Sequence, residues 1–139
     1  MPYSPLLIKP MKEELTSIGF EDLVTPAQVD AWMKNPTGTA LLVVNSVTGA
    51  AAGMARPAVR MALENKVKPT RLGTVFDEHD LEATARARGY FPDIPPSSPS
   101  IAIFKDGELV YFVPRHRIEG RSADQVANDL IGVFEEYCT

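Results

Sequence analysis

Apolar positions recur along this chain in two rhythms, and the order of those rhythms predicts its architecture. Between residues 6 and 19, Leu7, Met11, Leu15 and Ile18 fall three or four apart, the spacing of one helix face, and Gly19 is placed to stop it. Thr25-Pro26 opens a second helix, pairing a good N-cap with a residue suited to the first helical position. Val29, Trp32 and Met33 form its apolar side, and Asn35-Pro36-Thr37-Gly38 ends it. Thr39–Asn45 is instead a continuous apolar run, as expected of a central strand covered on both faces. A helical pattern follows over 51–67, kinked where Pro57 removes a backbone donor. Arg71–Phe76 reads as a parallel strand, and the helix between the two closes a right-handed βαβ unit. Leu81–Arg88 is a short helix stopped by Gly89, and 91–99 is a proline-rich loop. Ser100–Lys105 and Glu108–Val113 form a hairpin about Asp106-Gly107. Ser122 caps a last helix to about Tyr137, with Val126, Leu130, Val133 and Phe134 inward.

The order helix, helix, β-α-β, helix, β-β, helix predicts an α/β protein of thioredoxin-like fold. That is a four-stranded mixed sheet flanked by helices, built from a βαβ and a ββα unit, with an added N-terminal helical segment. A chain of 139 residues, 45% apolar, supports one such domain over 1–139, and no repeat or linker divides it.

This order places residues 43–57 where open α/β sheets concentrate their chemistry: at the carboxyl end of a strand and the amino end of a helix. Free N–H groups of the first helical turn favour anions such as phosphate or thiolate there. Yet Thr48, Gly49 and Ala50 offer no titrating side chain. Thr48 reads as a turn residue or N-cap, or as part of an anion site, while Gly49 and Gly53 read as permitting tight backbone geometry.

The segment Val44-Asn45-Ser46-Val47-Thr48-Gly49-Ala50-Ala51-Ala52-Gly53-Met54-Ala55-Arg56-Pro57 resembles the bacilliredoxin family. Its thioredoxin-like members carry Cys-Gly-Cys where this chain has Thr48-Gly49-Ala50. The resemblance extends through Lys9-Pro10-Met11-Lys12-Glu13-Glu14-Leu15, Pro96-Ser97-Ser98-Pro99-Ser100 and Phe112-Val113-Pro114-Arg115-His116-Arg117-Ile118-Glu119-Gly120-Arg121, in order over nearly the whole chain. It implies thiol–disulfide exchange that removes bacillithiol from protein cysteines. The first cysteine would be the nucleophile and the second would resolve the mixed disulfide. Both are absent here, and a threonine hydroxyl without a strong adjacent base does not replace a thiolate.

Pro99 matches the usually cis proline that precedes the third strand of thioredoxin folds. That placement would set the Ser98 backbone opposite the motif, open to an extended peptide, with Ser97 and Ser98 as donors to a ligand or to local backbone. Arg115, His116, Arg117 and Arg121 are the only dense basic cluster. They read as a solvated connection paired with Glu119 or Asp124, or as an anion site to which Arg56 would add. Arg56 would otherwise only neutralise a nearby carboxylate.

Cys138 is the sole cysteine, so no internal disulfide forms. It reads as a half-exposed residue in a frayed end, its thiol held up by Glu135 and Glu136. Asp77, Glu78, His79 and Asp80 read as a charge patch where the next helix begins rather than as a metal site. No pattern asks for a cofactor or metal, and Gly49-x-x-x-Gly53 lacks the Lys-Ser/Thr of a phosphate loop. A net charge of −4 argues against nucleic-acid binding. The absence of a long apolar run argues against a membrane span and makes a cytoplasmic location the expectation.

Three functions remain open. One is a redox-inactive family member that binds thiol-modified proteins or a small thiol or anion. Another is a monothiol oxidoreductase using Cys138. The third is a structural or regulatory subunit that pairs with itself, as a homodimer, or with another protein, with Trp32, Met33, Met54 and Tyr90 as surface candidates.

Overall fold

The computed structural model describes residues 3–34 and 37–139. Helix α1 (Pro5–Thr16) starts at Ser4, whose hydroxyl accepts from the Leu6 N–H at 3.2 Å. Its inward residues are Ile8 and Leu15, whereas Leu7 is 48% exposed. The inward stripe thus begins one residue later than the expected Leu7. Lys12 shares that side of the helix, its ammonium 3.2 Å from Asp22 and 2.7 Å from Asp80. Gly19 (φ 106°) turns the chain so that the Phe20 N–H reaches the Leu15 carbonyl at 3.2 Å.

The chain then makes strand β1 (Glu21–Asp22), which the sequence pattern did not suggest. The remaining strands are β2 (Thr39–Asn45), β3 (Arg71–Phe76), β4 (Ser100–Lys105) and β5 (Glu108–Val113). The sheet therefore has five strands rather than four, in the order β1-β3-β2-β4-β5. β1 runs parallel to β3, β3 parallel to β2, and β4 and β5 are antiparallel additions. Two polar residues show no alternation, so only their pairing with Gly73 and Thr74 reveals the strand.

β2 is buried along its whole length and splits the core in two. Leu41 and Val43 face α3 (Arg56–Ala62) and α5 (Ala123–Tyr137), against Val59, Leu130 and Phe134. Ala40, Leu42 and Val44 face α2 (Pro26–Met33) and α4 (Leu81–Arg88), against Trp32, Ala83 and Ala87. Trp32 and Met33 are thus core residues. A Cβ at Gly73 would lie 2.7 Å from Trp32 Cε2, so the strand needs glycine there to let the indole lie down.

Thr25 and Ser122 cap their helices as expected, each in a reciprocal box with the glutamine three residues on. The expected stop of α2 at Asn35-Pro36 lies outside the described residues. In the hairpin, Asp106 (φ 51°) and Gly107 (φ 86°) take the left-handed angles that a two-residue turn demands.

After β2 the helix opens at Gly49 and Ala50, runs as a π-turn over Ala51–Ala55, with the Arg56 N–H donating to Ala51 five residues back, and then becomes α3. Pro57 cannot donate to Gly53, so the regular i→i−4 ladder is broken at this place anyway. α3 ends at Ala62, well before the expected residue 67. The Glu64 and Asn65 N–H groups tighten onto carbonyls three residues back, at 3.1 and 3.0 Å, and Lys68 Nζ covers the Leu63 carbonyl.

Candidate functional site

The β2-to-helix turn is built from its own polar groups. Thr48 sits at the N-cap: its hydroxyl accepts from the Ala51 N–H at 3.3 Å and its carbonyl from Ala52 at 3.1 Å. Ser46 Oγ lies 2.7 Å from Thr48 Oγ1 and accepts the Thr48 N–H at 3.1 Å. The Thr48 oxygen is therefore engaged within the turn. Ala50 is 5% exposed and faces inward, while Gly49 is exposed. Neither Gly49 nor Gly53 has a positive φ, and a Cβ at either meets nothing within 4 Å. The tight geometry expected of these glycines is absent.

A buried arginine braces the turn from below. Arg56 is 2% exposed, so it does not add to a surface anion site. Its Nη1 donates to Asn45 Oδ1 at 2.8 Å and to the Ser46 carbonyl at 2.9 Å. Its Nε lies 3.2 Å from the Glu14 carboxylate, an ion pair without hydrogen-bond alignment. Asn45 in turn donates to the Met11 carbonyl at 3.2 Å and accepts from the Ser46 N–H. One guanidinium thus ties the end of β2, the first residue of the turn and α1 together.

Opposite lies the loop before β4, where the Ser98–Pro99 peptide bond is cis. Ser98 Oγ donates to Asp77 at 2.5 Å, and Asp77 also receives both Arg88 Nη groups at 3.3 Å. Arg88 reaches the Ser97 carbonyl as well. From the other side, Arg115 Nη1 donates to the Ser98 carbonyl at 3.3 Å, and the Arg115 N–H to Ser97 Oγ at 3.2 Å. Both serine hydroxyls are thus used within the protein, and Arg115, held to the Ser98 carbonyl, also pairs its guanidinium with Glu119 at 2.8 Å.

The basic cluster disperses. Arg121 pairs with Asp129 at 2.5 Å, not with Asp124, and Arg117 lies 6.0 Å from the Tyr111 ring centre. Asp77 and Glu78, read from sequence as a charge patch, bond to the loops on either side, Asp77 to Ser98 and Glu78 to Val47. Glu78 Oε1 accepts the Val47 N–H at 3.2 Å. Asp80 pairs with Lys12. The sequence signal for these two carboxylates is their place just after the carboxyl end of a parallel strand. Among the described residues no group of three His, Cys, Asp or Glu side chains is arranged to hold a metal.

Cys138 belongs to the far end of the sheet. It packs against the core beyond α5, with the Thr39 side chain and Lys105 as its neighbours. Burial pushes its thiol above the ordinary value, partly opposed by Thr39 and Lys105. The cause is thus burial rather than Glu135 and Glu136. Thr39 and Asn45 begin and end β2, so the thiol is roughly 20 Å from the motif turn.

The strand-turn-helix, the cis proline facing it and the mixed sheet define a protein of thioredoxin fold. Solved structures agree: a Fasciola hepatica thioredoxin superposes with a TM-score of 0.58 over 85% of this chain and 99% of its own, at 15% identity. A Halobacterium salinarum thioredoxin mutant gives 0.54 over 85% and 89%, at 18% identity. A family model described as disulphide isomerase matches residues 3–138. A bacilliredoxin of Cytophaga hutchinsonii is 55% identical over 96% of this chain and 98% of its own, and one of Salinibacter ruber 52% over 99% and 82%. The chain belongs to the bacilliredoxin family.

Proposed function

We propose that this chain is a family member that has given up dithiol exchange and works as a binding protein. Its ligands in this reading are thiol-modified proteins or a small thiol or other anion, held in the groove between the Thr48 turn and Ser98-Pro99. It would act in the cytoplasm, without a cofactor. The family role, thiol–disulfide chemistry, needs a nucleophilic thiolate at the turn. The observation that carries the proposal is what stands there instead: a threonine hydroxyl consumed by Ser46 and Ala51, and an inward alanine.

The rival monothiol reading relies on Cys138, whose partial burial, raised pKa and distance from the motif turn all speak against it. The deciding experiment is a thiol–disulfide exchange assay on a mixed-disulfide protein substrate, run beside Cys138→Ser. No turnover by either protein, together with retention of the modified substrate on the wild type, is the expected result. Turnover that disappears in Cys138→Ser would overturn the proposal in favour of a relocated redox thiol.

A further inference from the structure

Helix α3 stops at Ala62, and residues 63–70 carry the chain round to β3. The early stop leaves a cleft of about 610 Å³ between the last turns of α3, the Ile18-Gly19 turn and the start of β3. Its inner surface is apolar. Ile18, Met61, Leu63 and Leu72 each pack against the core and also line the cleft, and all four stay half-buried. A space of roughly 300–1,000 Å³ walled by apolar side chains has the size and lining of a small-molecule site. The cleft shares no lining residue with the Thr48 turn or the Ser98-Pro99 loop, so it is separate from the groove.

The rim supplies the polar groups, and they are not balanced. Arg60, Glu64 and Lys68 line the cleft and are exposed. Arg60 Nη2 lies 3.6 Å from Glu14, too far for a hydrogen bond, and that carboxylate sits closer to Arg56 Nε, at 3.2 Å. Lys68 donates to the Leu63 carbonyl at 3.2 Å and has no carboxylate partner among the described residues. Two cations with donors to spare therefore stand over an apolar cleft, in a chain whose net charge is −4. Glu64 is the one carboxylate among the lining residues.

We propose that this cleft binds a small amphipathic monoanion, an apolar body carrying a single carboxylate. The body displaces water from Ile18, Met61, Leu63 and Leu72. The carboxylate meets the guanidinium fork of Arg60 and the ammonium of Lys68. Glu64 sets the limit on charge, because it repels a second negative group at the rim. The cleft thus favours a monocarboxylate with an apolar tail over a dicarboxylate or inorganic phosphate.

Octanoate, 1-octanol and inorganic phosphate, each titrated into the wild-type protein, test this through the methyl NMR signals of Ile18, Leu63 and Leu72. Octanoate is expected to shift those methyls with a dissociation constant below about 1 mM, about tenfold tighter than octanol. Phosphate is expected to leave them unmoved. Arg60→Gln/Lys68→Gln, at two exposed positions, should abolish the tenfold preference and leave octanol binding unchanged. Equal binding of octanoate and octanol by the wild type would overturn the anion assignment without any variant. Octanoate shifts confined to other methyls, or none at all, would overturn the site itself. The readout involves neither turnover nor the groove, so it stands whichever way the exchange assay falls.

Discussion

The two ends of β2 divide what a thiol enzyme needs between them. At the Asn45 end are the capped turn, the buried arginine brace and the facing Ser98-Pro99 loop, but no thiol. At the Thr39 end is Cys138, the one thiol, half-buried and raised in pKa, at the carboxyl end of α5 rather than at a helix start. A frame without its reagent and a reagent without its frame teach the same point. Thiol reactivity is a property of the place, because helix-end N–H groups and charge make the thiolate. Retaining a cysteine elsewhere does not retain the function.

The sharpest way to break the comparison is to remove the brace. Arg56→Ala leaves Asn45 and the Ser46 carbonyl short of a buried donor and Glu14 with only Arg60, 3.6 Å away. It should cost about 3 kcal/mol in chemical denaturation, because the groups left behind remain desolvated. Supplying the reagent to the frame comes next. Thr48→Cys/Ala50→Cys should raise reduction of a mixed disulfide more than about tenfold above wild type. A folded double variant that stays at background would mean that more than two sulfur atoms has been lost.

The opposite wall is held more lightly. Asp77→Ala releases Ser98 Oγ and Arg88 together, both part-exposed, and should lower stability by about 1 kcal/mol in the same denaturation experiment. It should also weaken any ligand held between the walls. The smallest effect is expected at the other end of β2. Cys138→Ser should change stability by less than about 0.5 kcal/mol and leave exchange at background, since half-buried positions at a chain end tolerate such swaps.

The sheet and its helices were legible because long apolar runs and good caps set them locally. Val29, Trp32 and Met33, and Val126, Leu130, Val133 and Phe134, all lie in the core as their spacing demands. Where the chain departs from expectation, a distant partner decides. β1 exists through Gly73 and Thr74. The inward stripe of α1 includes Lys12 because Asp22 and Asp80 await its ammonium. Arg56 is long and charged, a residue usually found outside, and only Asn45, Ser46 and Glu14 make its burial tolerable. Even at the site, Thr48 as a cap follows from local chemistry. The turning of Asp77 and Glu78 to opposite walls does not, because neighbouring residues on one chain give no hint of which loops will fold over them.

Gly49 and Gly53 have one more consequence. Both stand in the helical turns after β2 with room for a methyl group and ordinary backbone angles, so sterics give no reason for either. Each glycine weakens a helix by roughly 1 kcal/mol relative to alanine. The first turns of this helix therefore unwind at a lower free energy than the sheet behind them. Under the binding reading proposed above, those turns would yield to a ligand, while Arg56 ties the helix back to Asn45 and the Ser46 carbonyl.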